Sequence, residues 1–481
     1  MLITAYHRLS GPGTEPATFT MSSQDPTAQK PSADRPLFHA GSLDRQFAHE
    51  IVRRLVDRGY VAYYAGGCVR DALLNLTPKD FDVATDATPE QVREVFGADH
   101  TRAVGEAFGV VLVHGRLAKT KCQVEVATFR TDGSYSDGRR PDWVVYATAE
   151  QDAQRRDFTI NGLFYDPIAQ RVIDFVGGQI DLGNRLLRAI GDPYARINED
   201  KLRMLRAIRF AARYAFELDP ATRKAIEESA SGIHRVSGER IGTELSKILE
   251  HPNRQWAWSE LERCGLLAHI APELLPVDQA ELFLQLPDAH LELPVVLAAM
   301  VHPLGRRSPE TSPPNRPPSV PEYPIPSQTW PTALEAIQLR WKLPNATIDS
   351  ARVCVEASCA LANPKPLEWS QVQPKLLHGW IDESMHLAQA LCRLHLWSDS
   401  GIQTFKERLA QPTHLWNPEP WIKGSDLIRA GLKPGPAFGK LLSQARSMQL
   451  DGRWTSEAMA LEWLASAIRE PERFQKPEQE Q

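Results

Sequence analysis

Two aspartates, Asp80 and Asp82, stand either side of Phe81 at the head of an apolar run. On a strand, residues two apart share a face. Carboxylates that close repel unless a cation lies between them. Hard oxygen donors of this kind suit Mg²⁺, which favours carboxylates together with substrate phosphates. Glu125 lies between valines in QVEVATF, where an acid is costly unless it meets a metal, a partner or water. Upstream, Gly66-Gly67-Cys68-Val69-Arg70-Asp71 joins a strand pattern to a helix pattern. Glycines there let the backbone approach a ligand, and the helix start offers free N–H groups to an anion such as a triphosphate. Arg70 adds a charged donor.

Two further constellations follow. Arg155-Arg156-Asp157-Phe158-Thr159-Ile160-Asn161 sets donors and acceptors at the edge of a core, suited to ribose hydroxyls and phosphates. Glu199-Asp200-Lys201-Leu202-Arg203 continues to Arg206 and Arg209. On one helix, Asp200, Arg203, Arg206 and Arg209 step by three along one side, opposite Leu202, Leu205 and Ile208. An accepting Asp200 beside a donating Arg203 has the polarity needed to read a base. N4 of C or N6 of A gives a proton to Asp200, and N3 of C or N1 of A accepts from Arg203. Taken singly, each motif also suits a plain turn or a solvated, salt-bridged face.

The elements that must position these residues change character along the chain. Residues 1–38 are rich in Ser, Thr, Pro, Gln and Gly, without apolar period, and read as a disordered tail. Met21 within it is a second candidate for the first residue. Residues 43–58 repeat apolar positions at helical spacing. Segments 60–65, 81–85, 108–115, 123–129 and 143–147 read as strands, with helical stretches at 68–75 and 89–97. This is a small mixed α/β unit over roughly residues 60–180. After Gly191 only helical patterns are read, at 199–216, 220–229 and 238–250. Residues 303–331 hold ten of the 37 prolines and read as a linker or long loop. Helical patterns rich in Trp return over 332–470, and 471–481 reads as a disordered tail.

Composition sets the frame. The chain has 481 residues, 42% hydrophobic and 24% charged, with a formal net charge of −5. That length suits two to four domains, and the charge fraction argues against global disorder. There is no run long and apolar enough to span a membrane and no secretory pattern at the start. With a negative total, any nucleic-acid contact must use a local basic face. Arg196 to Arg213 is such a stretch, with six Lys/Arg against two acids. The six cysteines form no C-x-x-C pair and read as reduced, buried thiols of a cytoplasmic protein.

The motifs do not stand alone. AGGCVRDALLNLTPKDFDVATDATPE, VEVATFRTDGSYSDGRRPDWV, QRRDFTINGLFYD, RAIGDPYARINEDKLRMLRAIRFAARY and GERIGTELSKIL follow one another across residues 60–250. In order and spacing they resemble the bacterial tRNA nucleotidyltransferase and poly(A) polymerase family of the polymerase-β superfamily. The resemblance implies an α+β protein with a mixed-sheet nucleotidyltransferase head over 39–190, followed by all-helical neck, body and tail. The neck is expected over 191–275, the body over 276–302, then the loop and a body and tail over 332–470 that grip tRNA.

By the same resemblance, Asp80 and Asp82 bind Mg²⁺ and Glu125 is the third carboxylate. Gly66, Gly67 and Arg70 touch the triphosphate. Arg156, Asp157 and Asn161 handle the sugar. Asp200 and Arg203 template the base, and Arg206 and Arg209 add nucleotide contacts. The implied activity is building or repairing the 3′-CCA end of tRNA from CTP and ATP. An A-adding enzyme, a poly(A) polymerase and a non-catalytic RNA-binding protein are the alternatives. The full-length stretch between Arg130 and Arg155 resembles the family's flexible loop and argues against a CC-only enzyme. Glu106 and Ala107, where poly(A) polymerases carry a basic pair, favour the tRNA form. LAAMVHPLG (297–305) resembles a phosphohydrolase metal helix, but Pro303 stands where the second ligand is needed. A degenerate remnant or simple helical core is expected there.

Overall fold

The computed structural model describes residues 37–38, 42–105, 109–133, 143–274, 279–302, 330–361, 367–377, 379–393 and 400–469. Residues 1–36 of the expected N-terminal tail, the C-terminal tail, the Pro-rich stretch 303–329 and the Glu106–Ala107 position lie outside the described residues. Phe38, at the end of the expected disordered tail, is instead buried against Tyr64, Phe81 and Tyr165. Trp330 and Pro331, at the end of the expected loop, open a helix.

Helix α1 (Leu43–Asp57) starts where the Ser42 hydroxyl accepts from the Arg45 N–H at 3.2 Å. It buries Ala48, Ile51, Val52 and Leu55, a single stripe at helical spacing. Then come β1 (Ala62–Ala65), α2 (Gly67–Leu73), β2 (Asp82–Thr85) and α3 (Pro89–Phe96), the last opened by a Thr88–Gln91 capping box. Strands β3 (Thr101–Gly105), β4 (Val110–Leu117) and β5 (Thr120–Thr128) follow. A small pair, β6 (Arg130–Asp132) and β7 (Val144–Tyr146), leads into α4 (Ala149–Gln154). Strands β8 (Leu163–Asp166) and β9 (Arg171–Asp174) then precede α5 (Gly178–Gly183).

The main sheet has seven strands in the order β3-β4-β5-β2-β1-β8-β9. Its pairings are antiparallel except β2 with β5, which run parallel because the chain crosses over through α3. On β4 and β5, Val111, Val113, Val124 and Val126 are buried and the residues between them face outward. With Val83 they join one core with Ile51 and Leu55 of α1 and Val92 and Phe96 of α3. Each such side chain contributes roughly 1.5–3 kcal/mol of burial free energy.

The strands expected at 60–65, 81–85, 108–115, 123–129 and 143–147 all form. Strands β3, β6, β8 and β9 lie outside the expected segments, and a two-residue strand, β10 (Leu186–Leu187), pairs with β11 (Glu217–Leu218). Strand pairing therefore continues past Gly191, though only for those two residues. Between them lie α6 (Pro193–Glu199) and α7 (Arg203–Tyr214). The single helix expected over 199–216 is broken at 200–202. Asp200 is extended, with φ −145° and ψ 107°, and its carboxylate takes the Leu202 N–H at 3.0 Å. That local bond competes with helix continuation.

Helices α8 (Pro220–Ser229) and α9 (Gly238–Leu249) match the expected spans closely. Thirteen more helices, α10–α22, run from Arg254 to Arg469 among the described residues. One core spans the sheet, α7–α9 and helices as far as Leu391. Two small separate cores hold the C-terminal helices, one around Trp369 and Phe405 and one around Leu427 and Trp454. The helix Leu293–Val301 is buried along its whole length, and His302 packs against the Cys359 sulfur at 3.4 Å. This is helical core. Among the described residues no group of three or more His, Cys, Asp or Glu is arranged to hold a metal.

A candidate nucleotide site between the sheet and the first helices

Gly66 ends β1 with φ +63° and ψ −114°, a conformation essentially reserved for glycine. A Cβ there would lie 2.8 Å from the Arg156 Nη1. The glycine thus lets the Arg156 guanidinium lie against the turn. That guanidinium also donates to the Asn161 carbonyl at 3.2 Å and to Asp152 Oδ2 at 3.0 and 3.1 Å. Arg70, one turn into α2, is buried. Its Nε donates to Asp71 Oδ1 at 2.8 Å, its Nη1 to Asn161 Oδ1, and it lies over the rings of Tyr214 and Phe210. A fixed guanidinium is a pre-organised anion contact.

Asp82 opens β2 and Asp80 precedes it, both exposed. Val83 pairs with Val126, so Asp82 is level with Glu125 on the adjacent parallel strand. Although water reaches Asp82, protein surrounds much of its carboxyl. That partial burial, then Glu125, then Asp80, push its pKa up to about 6 against the pull of Arg156. A divalent cation would reverse this, because its charge favours both carboxylates ionised. The donor set, two hard carboxylates beside a cationic cleft, fits a divalent metal that shares its ligands with phosphates. Glu125 stays one strand to the side and does not line the cleft.

Asp157 is buried and accepts from Asn161 Nδ2 at 2.9 Å, its neighbour Phe158 N–H at 2.8 Å, and Arg206 at 3.0 and 2.7 Å. Burial raises its pKa, but Arg206 and Asn161 outweigh it and bring the group down to about 2. Asp200 accepts from Arg240 Nη2 at 2.6 Å. Arg203 is held by Glu199 and donates to the Arg196 carbonyl at 2.8 Å. Arg209 is paired with Glu244, and Arg213 lies 3.6 Å from Asp71.

These groups converge. A cleft of 770 Å³ is lined by Gly66, Gly67, Arg70, Asp80, Asp82, Arg156, Asp157, Asn161, Asp200, Arg203, Arg206 and Arg209. Every candidate residue from the sequence except Glu125 is therefore on one wall or another. The volume is in the range of small-molecule sites. Arg155, read from the sequence as part of the sugar and phosphate motif, lines it too. So do Leu202, Phe210, Arg213 and Arg240, none of which was assigned a ligand role from the sequence. Arg240 had a faint signal, since it stands in GERIGTELSKIL, but nothing local announces that it reaches Asp200. The lining carries eight arginines against four aspartates, net positive in a chain of net −5. Such a cleft attracts polyanions.

Two family models match the chain. The Poly A polymerase head domain covers residues 62–188, and the probable RNA and SrmB-binding site of polymerase A covers 215–277. The CCA-adding enzyme of Lacticaseibacillus paracasei is 33% identical over 428 residues, which cover 88% of this chain and 97% of that protein. The chain belongs to the CCA-adding enzyme family. The CCA-adding enzyme of Enterococcus faecalis is 33% identical over 419 residues, 84% of this chain and 91% of that one. Among solved structures, the Bacillus stearothermophilus CCA-adding enzyme in complex with CTP is similar, with a TM-score of 0.65 and 26% identity. The match covers 89% of this chain and all of that one. Membership in this family makes the chain a nucleotidyltransferase, of a kind that generally uses divalent metals. Among the described residues no helix is long and apolar enough to cross a membrane.

Proposed function

We propose that this enzyme completes and repairs the 3′-CCA end of tRNA, adding C, C and A from CTP and ATP and releasing pyrophosphate. The observation that carries this reading is the convergence of the Asp80–Asp82 pair, the Arg156–Asp157–Asn161 group and the Asp200–Arg203 pair in one cleft. Relatives that match nearly end to end and bear the name CCA-adding enzyme support it.

In this mechanism Asp80 and Asp82 hold Mg²⁺. The metal, when bound, lowers the pKa of the RNA 3′-hydroxyl and neutralises charge on the triphosphate and leaving pyrophosphate. Gly66 and Gly67 let the triphosphate approach the backbone, and Arg70 and Arg156 set its orientation. Asp157, fixed by Arg206, and Asn161, fixed by Arg70 and Asp157, receive the sugar. Arg206 and Arg209 add positive charge along the nucleotide. Asp200 accepts the exocyclic amine of C or A, and Arg203 donates to the ring nitrogen, so protein groups stand where a template base would. Glu125 keeps negative charge beside Asp82 and so favours a cation there.

The test uses purified protein with Mg²⁺ and tRNA transcripts ending before CCA, after C and after CC. Each receives CTP, ATP or both, with an unstructured RNA as control. Stepwise C, C and A, then arrest, is the expected product. A single A on the CC-ended tRNA alone would instead mean an A-adding enzyme. Long A tracts on the control RNA would mean a poly(A) polymerase, and tRNA binding without incorporation a silent binding protein.

A further inference from the structure

Among the described residues, the face of β3–β5 opposite α1 is exposed, and the strand register fixes which residues line it. Leu112 pairs with Glu125, His114 with Gln123, Arg116 with Lys121, and Arg102 with Leu112. Residues directly opposite in a ladder project to the same face. The alternate positions Val111, Val113, Val124 and Val126 are buried, so Arg102, His114, Arg116, Lys121, Gln123 and Glu125 point to solvent. Asp82 is level with Glu125, one strand further in. The row Asp82–Glu125–Leu112–Arg102 therefore crosses four strands, about 14 Å at the usual spacing. From Glu125 to Lys121 the face extends a similar distance, about 13 Å along the strand.

An open sheet face is ordinary in itself. This one differs in charge. Arg102, Arg116 and Lys121 lie on it, and Lys119 stands at the β4–β5 turn, where it takes φ +69°. Among the described residues none of these four cations has an ion-pair partner within 4.0 Å. The cleft arginines differ: Arg70 pairs with Asp71, Arg156 with Asp152, Arg206 with Asp157 and Arg240 with Asp200. Paired arginines orient a small ligand, whereas exposed cations without an ion-pair partner on a flat face suit a phosphate backbone. Glu125 is the one acid on the face among the described residues, and it lies at the Asp82 end.

We propose that this open face is a backbone track for the acceptor RNA, leading its 3′ end to Asp82. It rests on the functional reading above, because the strand that must meet Asp82 is the one to be extended. The track ends at the carboxylates and is distinct from the arginine-lined nucleotide cleft.

The test compares the wild type, the double variant Arg116→Gln/Lys121→Gln and the control Arg53→Gln on α1. Steady-state incorporation is measured on CC-ended tRNA and on a CC-ended acceptor minihelix over a series of KCl concentrations. RNA binding is measured separately by fluorescence anisotropy. The double variant should raise KM and Kd for both RNAs about fivefold or more, and flatten the log–log salt slope by about 1–2. Its KM for ATP should stay within about twofold, because steering by this face acts on the RNA and not on the cleft. Arg53→Gln should behave as wild type. Wild-type RNA kinetics in the double variant would overturn the track while leaving the CCA activity standing. So would an equal loss in Arg53→Gln, or an effect seen with full tRNA and absent with the minihelix. A wild-type protein that adds nothing to tRNA would instead overturn the functional reading, and the track with it.

Discussion

Asp157 and Arg206 are joined by two hydrogen bonds, at 3.0 and 2.7 Å, across 49 residues of chain. The pair ties the Arg156–Asp157–Asn161 motif of the sheet domain to the helix that carries Arg203. It adds a charge-assisted link to the shared core that already packs α7 on the sheet domain.

That link depends on pH, and the dependence has a sign. The Asp157 pKa falls to about 2 in the folded chain, from an ordinary 3.8. A depressed carboxylate contributes stability above its unfolded pKa, and the contribution is lost as pH falls through the folded value. The shift corresponds to about 2 kcal/mol, present at pH 5 and above and gone below about pH 2. Asp157→Asn should lower stability by about 3 kcal/mol at pH 7, because Arg206 is left without its partner. Urea unfolding at pH 7 and pH 3 checks this. The gap between variant and wild type must narrow at pH 3; a constant gap would show that Asp157 is held by packing alone.

Asp82 makes the opposite trade. Its pKa is raised to about 6, so the metal-free folded state resists ionising it. The penalty is absent below about pH 4 and complete above about pH 7. Asp82→Asn should therefore raise Tm in EDTA at pH 8 and leave it unchanged near pH 4. Mg²⁺ should raise Tm of the wild type but not of the variant. Incorporation by Asp82→Asn or Asp80→Asn should fall at least about a thousandfold, the worth of several kcal/mol of metal assistance. tRNA affinity should hold. Surviving incorporation would remove these two residues from the metal role.

Much of the sheet was legible because its strands alternate. In QVEVATF the valines face the core and Gln123 and Glu125 face water, a pattern only a half-buried strand needs. Strand β8 lacks that signal because Leu163, Phe164 and Tyr165 are all buried, and β9 lacks it because none of Arg171–Asp174 is buried, so neither alternates. In the short edge strand β3, Thr101, Arg102 and Ala103 are all unburied, so the first three positions show no alternation. In the cleft, residues grouped within a motif were visible, since spacing alone brings them together. Arg240 was not, because its link to Asp200 spans 40 residues and depends on how α9 packs. The break at Asp200 was hidden too: helical periodicity continues through it, while the Asp200 carboxylate accepts from the Leu202 N–H and the distant Arg240.

The turn at Gly66 supplies a prediction about backbone geometry. Gly66→Ala forces a Cβ into a positive-φ conformation at a cost of about 1–3 kcal/mol. It also meets the Arg156 Nη1 at 2.8 Å. The arginine tip can swing away, so the fold should survive with a lowered Tm. The cleft should not, because Arg156 then loses its bond to the Asn161 carbonyl. KM for ATP should rise about tenfold, equivalent to about 1.4 kcal/mol of binding, with RNA affinity unchanged. An unchanged KM would separate this turn from the triphosphate.

Base choice gives the sharpest test, because two ion pairs already engage the reading groups. Arg240 holds Asp200 at 2.6 Å, and Glu199 holds Arg203. Each of these two groups, proposed above to read the base, is thus fixed by an opposite charge that leaves it further donors or acceptors. Arg203→Ala removes a donor, so discrimination of CTP and ATP from UTP and GTP should fall by about 10–100-fold, with triphosphate affinity nearly kept. Arg240→Ala leaves both readers present and frees Asp200. It should therefore raise KM for CTP and ATP while misincorporation rises less than in Arg203→Ala. Arg240→Lys should restore part of the affinity, since an ammonium retains the charge but not the planar fork. Competition assays with paired nucleotides resolve the two effects. If Arg203→Ala keeps full preference for C and A, base reading does not run through this pair. If Arg240→Ala loosens selection as much as Arg203→Ala, the arginine at 240 is itself a reader and not a support for Asp200.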